Sequence, residues 1–134
     1  IIVGGVPTLV LTTQLIIDVT PWYDPRYLIP LAGMIFSNSM NSVSIAAERY
    51  AAEMNNGQKE ESARRTAFQA ALIPLVNSLM AVGLVSLPGM MTGQVLAGVS
   101  PLIAARYQIM VMCVLFGAAG LSAVCYLSWA RKVR

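Results

Sequence analysis

Apolar residues fall in four long blocks along this chain, and short polar punctuations separate them. The first block runs from Ile1 to about Ile17. Pro21-Trp22-Tyr23-Asp24-Pro25-Arg26-Tyr27 follows, a turn by its two prolines and Asp, with three aromatics suited to a membrane interface. The second block runs from Leu28 to about Ala47. A hydrophilic stretch from Glu48 to Arg65 comes next, with Asn55-Asn56-Gly57 as a turn at its centre. The third block, Ala71 to Leu87, breaks at Pro88-Gly89 and resumes as a shorter apolar piece to Ala97. Ser100-Pro101 then reads as a helix start, with Ser as N-cap and Pro at the first helical position, and the fourth block continues through Trp129. A membrane-crossing helix needs about 20 mostly apolar residues. The first block is barely that long, whereas Ile109–Trp129 would extend roughly 31 Å as a helix. The pattern predicts an all-α, polytopic membrane helix bundle with about four transmembrane segments, the third broken at Pro88-Gly89. At 134 residues it forms one domain.

The break is the most pointed feature. A Pro-Gly pair inside a lipid-crossing helix frees backbone groups that must be buried in protein or line a cavity. Interrupted spans are where transporters place substrate paths. Pro88 and Gly89 are therefore a candidate hinge.

Composition agrees with a membrane protein. The chain is 57% hydrophobic and 11% charged, against about 25% charged for soluble domains. Its net charge of +3 does not form a stripe on one face. Most basic residues cluster beside apolar blocks, which suits anionic lipid headgroups and argues against nucleic acid. Arg49, Lys59, Arg64 and Arg65 lie between the second and third blocks, and Arg131, Lys132 and Arg134 close the chain. Basic residues favour the cytoplasmic face, which predicts a multi-pass protein of the inner or plasma membrane with a cytoplasmic C-terminus. Cys113 and Cys125 would lie about 18 Å apart on one helix, beyond disulfide reach. The first residues lack a basic flank and a cleavage site, so no signal peptide is expected. The start at Ile1-Ile2-Val3, already inside an apolar run, suggests the C-terminal part of a longer chain.

Candidate chemistry is polar and uncharged. In the second block Ser37, Asn38, Asn41 and Ser44 share one helical face that continues to Glu48. Either they join helices by hydrogen bonds, or they form the polar wall of a transport path, since Asn near mid-span is costly to bury unpaired. Asn77 and Ser78 in the third block, with Gln94 beyond the break, form a second polar group that would face Asn38 and Asn41 if the two blocks pack together. Asn77 has the alternative of satisfying backbone freed by Pro74. The methionines Met80, Met90, Met91, Met110 and Met112 show no compact soft-metal spacing and read as adaptable packing. Ala118 with Ser122, and Ala119 with Ala123, are small-xxx-small pairs for close helix contact. With no histidine, no phosphate-binding loop and no intramembrane carboxylate pair, an enzyme is not expected, and no cofactor is implied.

Two stretches resemble a known family. Pro30-Leu31-Ala32-Gly33-Met34-Ile35 followed by Asn38–Ser44 is similar to one signature of the FetB-type permeases. Ala70-Ala71-Leu72-Ile73-Pro74, the run Val82–Gly93 and Arg106-Tyr107-Gln108-Ile109 resemble the other. These are membrane subunits of ABC transporters, implicated in bacterial iron export, with plant relatives linked to aluminium tolerance. The resemblance spans about Leu28 to Leu127. It implies a separate cytoplasmic ATPase dimer as energy source and a pair of permease copies. It also puts the Glu48–Arg65 region at the ATPase. Two departures stand out: the family has further helices before the first block, and its cytoplasmic region is longer than Glu53–Arg65 here.

The resulting expectation is a permease subunit exporting a metal ion such as iron, with iron implied by the family alone. Ser37, Asn38, Asn41, Asn77 and Gln94 line its path, and Arg64 and Arg65 contact the ATPase. The competing expectations are a self-contained small homodimeric carrier and a non-transporting membrane assembly subunit.

Overall fold

The structure is a computed structural model that describes residues 2–12, 25–82 and 89–132. Among these described residues five helices follow one another: α1 (Ile2–Leu11), α2 (Pro25–Asn55), α3 (Glu60–Ala81), α4 (Gly89–Leu96) and α5 (Pro101–Lys132). Pro88, Trp22, Tyr23 and the end of the first apolar block lie outside the described residues.

Local chemistry sets most helix ends. Pro25 and Pro101 occupy first helical positions, where the missing N–H has no partner to lose. Glu60 and Glu61 place negative charge in the first turn of α3. α2 and α4 both stop in Schellman motifs. Gly57 (φ 75) donates to the Met54 carbonyl while Gln58 donates to Glu53, and Gly98 (φ 89) donates to Val95 while Val99 donates to Gln94. Both glycines hold the left-handed conformation that a Cβ makes costly.

Two boundaries differ from the sequence expectation. The hydrophilic stretch Glu48–Arg65 is a helical hairpin: α2 runs on to Asn55 and α3 begins at Glu60. Its buried stripe explains why, since Ala46, Tyr50 and Glu53 of α2 continue inward at helical spacing against Ala63, Ala67 and Ala71 of α3. At its other end α3 stops at Ala81, short of Leu87. The β-branched Val82 turns extended there (φ −64, ψ 125), donating its N–H to the Ser78 carbonyl.

α5 is the hub and packs against each of the other four helices, while α2 also holds α1 and α3. One core cluster joins Leu31 and Ile35 of α2 to Val111, Val114, Leu115 and Ala118 of α5. The second joins Ala46 and Tyr50 to Ala63, Ala67 and Ala71, with Ala123 and Leu127 closing it. α2 and α5 thus run parallel, and α3 runs against both. All four members of the small-residue pairs on α5 (Ala118, Ala119, Ser122 and Ala123) are fully buried. α1 sits close: a Cβ at Gly4 would meet Ser122 Oγ, and one at Gly5 would come within 3.0 Å of the Phe36 ring.

The distribution of size is that of a protein in lipid. Among the described residues alanine makes up half of the buried apolar ones, whereas Ile29, Met40, Ile73, Met80, Leu96, Leu102, Ile109 and Trp129 face outward. Small residues inside and large apolar residues outside is how helices associate where lipid already solvates apolar side chains. Among the described residues α5 is the one helix long and apolar enough to cross a membrane. α2 has the length, but its Ser and Asn residues lower its hydropathy. α3 is polar in its first half, and α1 is a shorter apolar helix.

Candidate functional site

The packing of α2 divides its polar residues into two sets. Leu31, Ile35, Ser39, Ser42, Ala46, Tyr50 and Glu53 form the buried stripe. Within it Ser42 Oγ donates to the Ala71 carbonyl at 3.3 Å and ties α2 to α3. Ser39 Oγ is buried without a partner, as is Ser122 Oγ on α5. The other set, Ser37, Asn41, Ser44 and Glu48, lies exposed at offsets of four, three and four residues. These positions make one ridge along the face that α3 and α5 leave uncovered. Asn38 stands between the sets. It is half-buried, and its Nδ2 donates to the Met34 carbonyl at 2.8 Å, one turn back on its own helix.

The second polar group does not meet the first inside this chain. The Ser42–Ala71 bond sets α2 and α3 level at those residues. Counting 1.5 Å per residue along antiparallel helices, Asn77 lies about 9 Å beyond Ala71, level with Phe36 and Ser37. Asn77 and Ser78 are exposed there, and no hydrogen bond joins Asn77 to Asn38 or Asn41 among the described residues. Among the described residues the Asn77 face does not meet Asn38 and Asn41, since the Ala63–Ala67–Ala71–Leu75 stripe is the side of α3 turned inward.

Gln94 occupies a different place. It is half-buried in a cavity of about 680 Å³ lined by Pro30 and Met34 of α2, Met90 and Gly93 of α4, and Val99 beyond it. Gly89 is the exposed first residue of α4. At the opposite end of the bundle, Arg64 (half-buried) and Arg65 (exposed) line a second cavity, with Glu61 and Phe68 of α3 and Val124 and Leu127 of α5. Near this end Arg49 pairs with Glu53 at 2.6 Å, one turn apart on α2.

Two features had no linear signal. Met34, Met90, Met110 and Met112, from three helices, gather with Tyr107 around the Leu31–Ala118 cluster. The buried hydroxyls of Ser39 and Ser122 were indistinguishable by residue type from their exposed neighbours. Among the described residues no group of His, Cys, Asp or Glu is placed to hold a metal ion. Cys113 and Cys125 are exposed and unpaired.

Residues 1–133 match the model of an uncharacterised protein family, UPF0014. A UPF0014 membrane protein of Synechocystis is 51% identical over 112 residues, covering 72% of this chain and 43% of the relative. The probable iron export permease protein FetB of Escherichia coli is 40% identical, over 80% of this chain and 48% of its own. The Arabidopsis protein ALUMINUM SENSITIVE 3 is 34% identical, over 80% of this chain and 45% of its own. The chain therefore spans less than half the length of these curated relatives. No solved structure matches it.

Proposed function

The chain belongs to the UPF0014 family of membrane proteins, and from that membership we propose that it forms part of an ABC-type permease exporting a metal ion such as iron. A relative named as a probable iron export permease supports the transport class and the cargo. A separate ATPase drives the cycle, and two permease copies pair around the path. The chain crosses the inner or plasma membrane several times, with its basic C-terminus and the α2–α3 turn on the cytoplasmic side.

One observation carries the path: the exposed Ser37–Asn41–Ser44–Glu48 ridge on a helix whose other face is fully engaged. An amide presented to hydrocarbon without a partner is costly, so this ridge belongs against water or polar groups. Asn77 stands at the height of its outer end, and Asn38 at its flank. Gln94 lines the cavity nearer the Ser100 end. These residues line successive levels of the path. Pro88-Gly89 serves as the hinge between α3 and α4, and Arg64 and Arg65 face the ATPase end. Asn41→Leu removes the central amide without touching a packed residue. The variant should assemble with its ATPase at the wild-type level while ATP-dependent metal efflux from cells or vesicles is lost. Wild-type efflux in Asn41→Leu would sink the polar path.

A further inference from the structure

The cavity at the α2–α3 turn end has walls of two kinds. Glu61, Arg64, Arg65 and Phe68 of α3 line it together with Val124 and Leu127 of α5, so charged and apolar side chains share a volume of about 240 Å³. Arg64 is half-buried, and its Nε is fully buried with no hydrogen-bond partner. A buried guanidinium donor without an acceptor is costly, and such groups are normally satisfied by protein, water or ligand. Among the described residues, the ion pair near this end of the bundle, Arg49–Glu53, involves neither Arg64 nor Arg65.

We infer that this cavity is a binding site for the headgroup of an anionic glycerophospholipid, its phosphodiester held by Arg64 and Arg65 and its acyl chain laid over Phe68 and Val124. The guanidinium fork matches two phosphate oxygens. The apolar wall continues to the bundle exterior through Val124, which is 45% exposed. That gives a chain leaving the cavity a surface to follow. α5 runs past Leu127 to Lys132, so positions Arg131 and Lys132 lie about 6–8 Å further toward the same end. They add positive charge where the leaflet is anionic. Glu61 sets the headgroup class. A carboxylate beside the site repels a phosphate dianion but accepts hydrogen bonds from the hydroxyls of a singly charged headgroup such as phosphatidylglycerol.

The test uses the full-length protein in nanodiscs of phosphatidylcholine, with and without phosphatidylglycerol. Native mass spectrometry counts the lipid retained. The wild type should enrich phosphatidylglycerol, and Arg64→Gln should lower that enrichment about fivefold, the equivalent of about 1 kcal/mol for one basic residue at a membrane surface. Arg64→Lys, which keeps the charge but loses the fork, should fall between them, and its monodispersity controls for folding. Equal enrichment in all three proteins overturns the proposal. Stabilisation of the wild type by inorganic phosphate in phosphatidylcholine alone, lost in Arg64→Gln, would reassign the site to a soluble anion. Loss of ATPase capture in Arg64→Gln with lipid enrichment intact would reassign Arg64 to the protein partner.

Discussion

Replacing Gly4 by Ala should destabilise the bundle, although the same change elsewhere in it should stabilise. An added Cβ at Gly4 would meet Ser122 Oγ and stand 2.9 Å from the Ser122 amide nitrogen and 3.1 Å from its Cα. The hydroxyl can rotate away, but the α5 backbone cannot. Since carbon contacts relax near 3.5 Å, α1 must retreat by roughly 0.5 Å, a gap that forfeits about a quarter of each contact it opens. Overpacking of this kind costs about 1–3 kcal/mol. Alanine returns up to about 1 kcal/mol of helix propensity, which leaves a net loss of up to about 2 kcal/mol. Gly33 is the control. It lies mid-helix in α2, exposed, with nothing within 4 Å of its Cβ direction. Gly33→Ala should therefore gain up to about 1 kcal/mol. Thermal unfolding in detergent separates the two, at roughly 3–6 °C per kcal/mol for 134 residues, between the values for smaller and larger domains. Adding Ser122→Ala should recover part of the Gly4→Ala loss, the part owed to the hydroxyl, and the remainder measures the backbone contact. Equal stabilisation by Gly4→Ala and Gly33→Ala would refute the seating of α1 on α5.

The remaining predictions concern single groups. Ser39→Ala and Ser122→Ala each remove a buried hydroxyl that has no partner, so both should be neutral or stabilising by up to about 1 kcal/mol; a loss above that in the same melts would place a bound water at the hydroxyl. Gly57→Ala and Gly98→Ala force a Cβ into left-handed backbone in the two Schellman motifs. Each should cost about 1 kcal/mol, and an unchanged melting temperature would remove the motif at that turn.

The blocky pattern of the sequence located the helices because each one is long compared with the errors at its ends. Ser100-Pro101 marked the start of α5, and Asn55-Asn56-Gly57 marked the turn between α2 and α3. What misled was equating apolarity with helix length. α2 and α3 extend past their apolar blocks as Ala46, Tyr50, Ala63 and Ala67 carry one buried stripe into otherwise polar sequence. Ala81 ends α3 inside an apolar block, where Val82 turns extended with no change in polarity. The small-xxx-small pairs of α5 were legible for a different reason: residue size alone specifies close contact, whichever helix supplies the partner.

Polarity alone could not assign the faces of α2. Ser37, Asn38, Ser39, Asn41, Ser42 and Ser44 spread over about 220° of the helix circumference at about 100° per residue, so polarity marks no narrow stripe that distinguishes inside from outside. The distinction comes from volume. Ser39 and Ser42 lie in register with the alanines of α3 and the small residues of α5, where only a short side chain allows the backbones to approach. Asn41 is too large for that seam and stands a hundred degrees or more away from it, a rotation set by about 100° per residue. The smaller hydroxyls thus serve the packing, and the amide is left for the surface that α3 and α5 do not cover. On that division, a Ser42→Leu change would part α2 from α3 through a steric wedge, whereas Asn41→Leu would leave the seam closed and alter only what the open face can bind. The two substitutions introduce the same side chain one residue apart, so the seam and the path can be separated in one pair of variants.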